Sequence, residues 1–170
     1  MNHQRDIWST ILAISFMCAI DFARAQEPTS HPIGRNVPQN KFGAFPGLPT
    51  CAEGAVQSGD PSKGPSIILA RNAAGCSIPW HWHTPNEHLM MVSGTARVEA
   101  KDEKPMTLRA GGFARLPSRH VHQFRCTTAC LFYVYSDAAF DIHYVDRQGS
   151  EMTPDDALKA VKEKAAKPMQ

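Results

Sequence analysis

The sequence predicts a single all-β domain followed by one short helix. Short apolar runs separated by turn-forming residues recur from residue 51 onward, which is typical of a sandwich or a barrel. The chain has 170 residues, enough for one compact core and too few for two comfortable ones. A segment near the C-terminus carries the cap and charge pattern of a terminal helix.

Residues 1–25 have the pattern of a secretory signal peptide. The segment from Ile7 to Ile20 is uncharged and mostly apolar, Arg5 precedes it, and a small-residue site ends at Ala25. We predict cleavage after Ala25 and a periplasmic or secreted mature protein. The apolar run is shorter than the roughly 20 residues that span a bilayer, so no membrane association is expected after cleavage. A buried N-terminal helix or an uncleaved anchor is the alternative.

Residues 26–50 predict an N-terminal arm, because they are rich in Pro, Gly, Asn and Ser and have no apolar period. Their bulky anchors are Phe42, Phe45 and Leu48. The arm can lie across its own domain or across another subunit, and the sequence leaves both open. The β-domain is placed at residues 51–146, with strands at SIILAR, HLMMVSG, TARVEA, MTLRAGG, FARLP, HVHQF and LFYVYS.

Residues 147–170 predict a C-terminal helix and tail. Thr153 is the expected N-cap, Pro154 the first helical residue, and two acidic residues follow in the first turn.

Cleavage would leave four cysteines in a compartment where disulfides persist. Cys126 and Cys130 flank a tight turn, which favours their pairing and leaves Cys51 to meet Cys76. The alternative is that some or all remain small buried thiols, because a sequence does not fix the Cα separation of about 5.5 Å that a disulfide needs.

Charge and motif content exclude several functional classes. The formal net charge is +2 and the basic residues are scattered among acidic ones, so no nucleic-acid partner is expected. The chain has no phosphate-binding glycine loop with lysine, no dinucleotide fingerprint and no nucleophile elbow.

Three histidines and one glutamate fall at positions that can share a metal ion. His81 and His83 alternate along one strand and therefore point to the same face. Glu87 begins the next strand, and His122 lies on a later one. Such a site suits Fe, Mn, Ni, Co or Zn and leaves positions open for water or substrate. The alternative for the two neighbouring histidines is an exposed, purely polar strand face.

These residues resemble the first motif of the cupin family. That motif is a glycine, five residues, His-X-His, three or four residues, a glutamate, six residues and a glycine. It is complete at Gly75, His81, His83, Glu87 and Gly94.

The second cupin motif is matched in part. Gly111, Pro117 and His122 are present, but Arg119 replaces the motif glycine and Cys126 the asparagine. The resemblance covers roughly residues 51–145. It implies a double-sheet, jelly-roll-like β-barrel of six to eight strands, with one divalent metal ion held by three histidines and a glutamate, and a homodimer formed through edge strands.

Arg119 makes the position of the third histidine less secure, because a turn that needs positive φ tolerates Arg poorly. We predict that the turn either differs or is strained. His120 is two residues before His122 and would point to the same face of a strand. It is therefore the alternative metal ligand, or a general base near the metal. The alternative places His120 at the barrel mouth, where it hydrogen-bonds to water.

The same alternation predicts a pocket lined by Met91, Phe113, Arg115 and Phe124. Arg115 would hold a substrate carboxylate there, and a surface ion pair is the alternative. His88, Trp80 and Trp82 are expected to face away from the cavity.

The resemblance implies a metal-dependent function acting on a small molecule. An enzyme of oxygenase or lyase type is the first hypothesis. A non-catalytic metal-binding or small-molecule-binding protein is the alternative, and a metal that only stabilises the fold is a third.

Overall fold

The computed structural model of the protein describes residues 32–166, with side chains as far as residue 160. The predicted signal peptide at residues 1–25 lies outside the described residues. From Arg35 onward the described chain belongs to one compact unit.

Twelve strands and one α-helix make up the described chain. A single 3-10 turn at Val37–Gln39 precedes them. The elements are, in order, β1 (Gly43–Ala44), β2 (Ala52–Gly59), β3 (Ser66–Asn72), β4 (Ser77–Trp82), β5 (Glu87–Ser93), β6 (Ala96–Ala100), β7 (Met106–Leu108), β8 (Phe113–Leu116), β9 (His122–Cys126), β10 (Cys130–Ser136), β11 (His143–Val145), β12 (Glu151–Met152) and α1 (Pro154–Ala166).

The strands form two six-stranded antiparallel sheets. The first has the order β1-β2-β3-β10-β5-β8 and the second the order β12-β11-β4-β9-β6-β7. The predicted all-β, jelly-roll-like double sheet with a short terminal helix is therefore confirmed. Among the described residues the two sheets are not hydrogen-bonded into a closed barrel, so the expected closure is replaced by two facing layers.

The hydrophobic core lies between the inner faces of the two sheets. Alternate residues of each strand point inward, because successive side chains of a strand face opposite sides. The core consists of Ile68, Ala70, Leu89, Met91, Ala96, Val98, Leu108, Ala114, Leu116, Phe124, Cys126, Cys130, Phe132 and Val134. Burial of each large apolar side chain contributes about 1.5–3 kcal/mol to stability.

The register of β5 and β10 places Glu87 at one end of this layer. Glu87 lies opposite Ser136, whereas Met91, four residues further along β5, lies opposite Phe132 within the core. We call the end that contains Glu87 the metal end and the end that contains Met91 and Phe132 the packed end.

The two glycines of the first motif serve different turns. Gly94 has φ of +85°, and a Cβ there would lie 2.1 Å from the carbonyl oxygen of Ala129. Gly75 has φ of +79°, with open space where a Cβ would be. Gly94 is therefore required by close backbone packing as well as by φ, and Gly75 by φ alone.

One disulfide joins Cys51 to Cys76, with a Cα separation of 5.6 Å. Cys126 and Cys130 are buried free thiols, so the pairing that their spacing favoured is not formed. The turn between them passes from the second sheet to the first, and the Cys130 thiol donates instead to the carbonyl oxygen of Thr95 at 3.4 Å. The Cys51–Cys76 disulfide closes a loop with a sequence separation of 25 residues, which stabilises the fold by about 3 kcal/mol.

The arm packs on its own domain. Gly43 and Ala44 pair with β2, and the phenol of Tyr144 donates a hydrogen bond to the carbonyl oxygen of Gly47 at 2.8 Å. Phe45 packs against the core over Gly54, where a Cβ would lie 2.6 Å from the Phe45 ring. The glycine thus leaves room for the arm to cover the double sheet.

The terminal helix begins where its sequence predicts. The Thr153 hydroxyl accepts a hydrogen bond from the backbone N–H of Asp156 at 3.2 Å, which is the arrangement of an N-cap. Among the described residues, no helix combines the length and apolar character needed to span a bilayer.

Candidate metal site

Four buried side chains converge at the metal end. His81 lies near the end of β4, His83 directly follows that strand, and His122 begins β9. His81 and His122 are direct partners in the second sheet, and Glu87 reaches them from the first sheet. The four-residue group therefore joins the two layers.

The potential ligand atoms of these four residues all lie within 4.8 Å of one another. The Oε2 atom of Glu87 is 3.2 Å from Nε2 of His122 and 3.6 Å from Nε2 of His83. The His81 and His122 ring centroids are 4.2 Å apart. Three imidazole nitrogens and a carboxylate oxygen therefore face one small volume.

Each imidazole is oriented by a backbone carbonyl. Nδ1–H of His81 donates to Pro79 O at 2.6 Å, and Nδ1–H of His122 donates to His120 O at 2.8 Å. Nδ1–H of His83 donates in the same way to the carbonyl of Asp141. Because Nδ1 carries the proton in all three rings, the Nε2 lone pairs are left for a metal ion.

The electrostatics of His81, His83 and Glu87 favour the protonation states that a metal requires. Burial lowers the pKa of His81 well below its usual value, and the nearby His122 and His83 lower it further. Burial also lowers the pKa of His83. Burial alone would raise the pKa of Glu87, but its interactions with the nearby His83 and His122 side chains outweigh that effect and lower the pKa. Neutral imidazoles beside a carboxylate form a donor set that fits a divalent first-row metal ion.

An apolar cavity of about 410 Å³ adjoins this group. Its wall includes inward side chains of both sheets, among them Ile68, Phe124 and Phe132. The arm contributes Phe45 and Leu48, and the loop before β11 contributes further residues. The sequence did not show this role of the arm, although Phe45 and Leu48 stood out as bulky residues in a polar segment.

Comparison with known proteins identifies the family. The sequence profile of the cupin domain matches residues 69–135, which contain the four converging residues. The chain contains a cupin domain. No curated protein sequence matches the chain.

Solved structures similar to this cupin share its fold at low sequence identity. A proposed acetylacetone dioxygenase from Methylibium petroleiphilum PM1 is 16% identical with a TM-score of 0.56, covering 75% of this chain and 90% of its own. A chain of the DMSP lyases RdDddP and RnDddQII is 18% identical with a TM-score of 0.54, covering 64% of each chain. An RmlC-like cupin from Shewanella frigidimarina NCIMB 400 is 15% identical with a TM-score of 0.52, covering 62% of this chain and 88% of its own.

The structure places one of the four predicted pocket residues in the cavity wall and the other three outside it. Phe124 lines the cavity. Met91 is 4% exposed but belongs to the core at the packed end. Phe113 is 59% exposed and Arg115 is exposed, because Ala114 and Leu116 occupy the inward positions of β8. The predicted pocket roles of Met91, Phe113 and Arg115 are therefore corrected.

His120 contributes its backbone to the site. The prediction that His120 and His122 point to the same face of one strand is wrong, because β9 begins at His122 and His120 lies in the preceding turn. Its imidazole is neither in the converging group nor in the cavity wall. Its carbonyl instead orients His122, so the structure corrects the predicted role of the ring as a ligand or general base.

Arg119 adopts the conformation that the second motif normally assigns to glycine. Its φ is 59°, which costs an L-residue roughly 1–2 kcal/mol. Its backbone N–H donates to the carbonyl oxygen of His83 at 2.8 Å, and its guanidinium lies 5.0 Å from the centre of the Trp82 ring. The turn is therefore kept, in a strained form, and it ties the second motif to the first.

Two residues beyond the motifs also support the group. The Phe140 ring stacks on His83 at 4.3 Å between centroids. The Asp141 carboxylate accepts a hydrogen bond from the backbone N–H of Thr84 at 2.7 Å and lies 3.3 Å from Nε2 of His143. Neither residue belongs to a cupin motif, and the sequence carried no signal for them.

The side chains expected to face away from the cavity include His88 and Trp82. His88 packs near Phe113 and Tyr135, and Trp82 stacks on His143 at 3.9 Å between centroids. Trp80 is half-buried, and none of His88, Trp80 and Trp82 lines the cavity.

Proposed function

We propose that this cupin is a metal-dependent enzyme that acts on a small molecule by oxygenase-type or lyase-type chemistry. The observation that carries the proposal is the opening of four convergent, buried ligand groups onto an apolar cavity of about 410 Å³. A divalent ion held by His81, His83, Glu87 and His122 would keep open coordination positions and would polarise a substrate or dioxygen. This set of three imidazoles and one carboxylate is compatible with Fe, Mn, Zn, Ni and Co, and we propose that one of these ions is bound.

Two further ionisable side chains line the cavity, and both already have partners. Glu53 accepts a hydrogen bond from Nε of Arg71 at 3.1 Å. Asp141 is held by Thr84 and His143. Among the described lining residues, no acid or base is thus left for proton transfer outside the metal group. This favours reactions driven by metal polarisation over reactions driven by a separate general base.

The structural relatives support the same reaction classes. They include a proposed acetylacetone dioxygenase and DMSP lyases, and both act on small molecules, as their names state. If the metal only stabilised the fold, side chains would be expected to fill the interior beside it. The cavity beside the four ligand residues therefore argues against a purely structural metal.

A non-catalytic binding cupin is the second candidate. The lack of a spare acid or base among the lining residues also suits a protein that holds a ligand without converting it. Such a protein would bind a ligand in a metal-dependent way and show no turnover.

A substrate screen separates the two candidates. Metal-loaded protein is incubated with small diketones, hydroxy acids and sulfonium compounds, while oxygen uptake and product formation are recorded. The enzyme proposal predicts turnover that is lost on chelation and restored by metal. Turnover that survives complete metal removal would contradict it, and metal-dependent binding without turnover would favour the binding protein.

We also propose that the mature protein is exported. The Cys51–Cys76 disulfide supports an oxidising compartment. Fractionation of cells that express the full chain should place the protein outside the cytoplasm with its N-terminus at Gln26. Retention of Met1 on cytoplasmic protein would contradict export.

We propose a homodimer as well. The outward face of the first sheet exposes apolar side chains, including Ile67 at 37%, Phe113 at 59% and Tyr133 at 36%. A second copy covering such a face would remove it from water. Light scattering should give twice the chain mass, and a monomer at micromolar concentration would contradict the proposal.

A further inference from the structure

We propose that the cavity selects a ligand with a metal-binding head and an uncharged apolar tail, and that Leu48 of the arm helps to determine this selectivity. The inference rests on the proposed function, which places the head of the ligand at the metal group. It adds the class of ligand and names a specificity-determining side chain.

The arm bridges the two sheets beside the cavity. Gly43 and Ala44 pair with β2 in the first sheet. Shortly after Ala44, the carbonyl oxygen of Gly47 accepts a hydrogen bond from the phenol of Tyr144, which belongs to β11 of the second sheet. The arm therefore crosses the gap between the layers, where its side chains can meet a molecule held between them.

Leu48 directly follows this crossing and forms part of the cavity wall. Its backbone N–H donates to the carbonyl oxygen of Phe45 at 3.2 Å, which holds both residues in one turn. Phe45 also lines the cavity, and its ring lies over Gly54. Leu48 is half-buried, so it retains accessible surface. A tail in the cavity would cover apolar surface of Leu48, which favours binding.

The wall beyond the metal group offers a charged tail no partner. Its described residues include no Lys or Arg, and its two carboxylates are those of Glu53 and Asp141. Glu53 accepts a hydrogen bond from Nε of Arg71 at 3.1 Å, and Asp141 accepts one from the backbone N–H of Thr84. An anionic tail would therefore lose its water without gaining a cation, and a cationic tail would meet carboxylates that already have donors.

Charge is instead concentrated where the head would bind. Glu87 supplies one carboxylate, and His81, His83 and His122 are neutral as ligands. A divalent ion held by this set leaves a net positive charge, which suits an anionic chelating head. The cavity of about 410 Å³ has room for roughly fourteen water-sized groups at about 30 Å³ each, enough for such a head and a tail of roughly eight carbon atoms.

The test uses alkyl hydroxamates, whose head chelates divalent metal ions, from acetohydroxamate to octanohydroxamate. Matched compounds carry a carboxylate or an ammonium group at the end of the same tail. Binding to metal-loaded protein is measured by calorimetry for the wild type, Leu48→Ala, Leu48→Lys and the control Val37→Lys. Val37 lies on the arm, is 44% exposed and does not line the cavity. Metal content and thermal unfolding are recorded for each protein first.

We expect the affinity of the wild type to rise about threefold to fourfold for each added methylene until the cavity is filled. A terminal carboxylate or ammonium group should weaken binding at least about tenfold relative to the plain tail of the same length. Acetohydroxamate has no such tail, so all four proteins should bind it with similar affinity.

The variants should change the response to the tail. Leu48→Ala should reduce the gain for the longer tails. Leu48→Lys should shift the preference toward the carboxylate-ended tails by about tenfold, in the range of one charge-assisted hydrogen bond. Val37→Lys carries the same added charge on the same arm and should behave as the wild type.

Several outcomes would overturn the inference. They are a wild-type affinity that does not rise with tail length, and charged tails that bind as tightly as plain ones. An equal shift in Val37→Lys and Leu48→Lys would also overturn it. If Leu48→Lys does not fold, Leu48→Ala decides, and an unchanged gain for the longer tails would overturn the role of Leu48.

Failure of the inference and failure of the proposed function are distinguishable. A wild type that holds metal and binds acetohydroxamate but gains nothing from a tail would overturn the inference alone. A wild type that holds no metal would instead overturn the proposed function.

Discussion

The metal end and the packed end of the double sheet are built from the same strands and the same inner faces, yet they differ in chemistry. On β9 the inward residues run from His122 at the metal end to Cys126 at the packed end. On β5 they run from Glu87 to Met91. The alternation of side chains along a strand therefore determines which residues face inward. The position of an inward residue along the strand determines whether it lies beside the metal-ligand group or in the core.

The largest effect is expected at the packed end. Phe132→Ala should lower the free energy of unfolding by about 3–5 kcal/mol, because it removes a buried ring and enlarges the cavity between the sheets. Chemical denaturation measures this loss, and Tyr133→Ala on the outward face is the matched control with a smaller loss. An equal loss of unfolding free energy in the two variants would contradict the assignment of Phe132 to the inner face of β10 and of Tyr133 to the outer face.

The two motif glycines allow a smaller and sharper comparison. Gly94→Ala should cost about 2–4 kcal/mol, because its Cβ would clash with the carbonyl of Ala129. Gly75→Ala should cost only about 1 kcal/mol, since φ alone opposes it. Thermal and chemical unfolding of the two variants provide the test. A cost for Gly75→Ala that equals or exceeds that of Gly94→Ala would contradict the structural reason given for each glycine.

The smallest effect is expected at the turn beside the metal end. His120→Ala should leave metal affinity within about twofold of the wild type, because the variant keeps the carbonyl that orients His122. Competition with a chelator measures this affinity. A tenfold loss of affinity would show that the His120 imidazole itself takes part.

Much of the fold and of the four-residue group could be predicted from the sequence because both depend on local patterns. Alternation within β4 places His81, and the motif spacing places Glu87 and His122. The same alternation fails for His120, since the strand begins two residues later, and for Phe113, whose direction is set by the pairing of β8 with β5.

Long-range packing accounts for the features that the sequence did not reveal. Phe45 reaches the cavity from the arm over Gly54, and Phe140 reaches His83 from a distant loop. The Cys126 and Cys130 thiols remain unpaired, although their spacing favoured a bond. Contacts between segments far apart in the sequence determine all of these placements, and no local pattern encodes them.

Metal content is the most direct test of the central claim that the metal end holds a divalent ion. Elemental analysis is applied to the wild type, to His81→Ala and His83→Ala, and to His88→Ala, whose side chain packs away from the group. The account predicts a single divalent ion per chain in the wild type and in His88→Ala, and little or none in the other two variants, all with native-like circular dichroism. Full metal content in His81→Ala or His83→Ala, or a wild type that binds no metal, would contradict it.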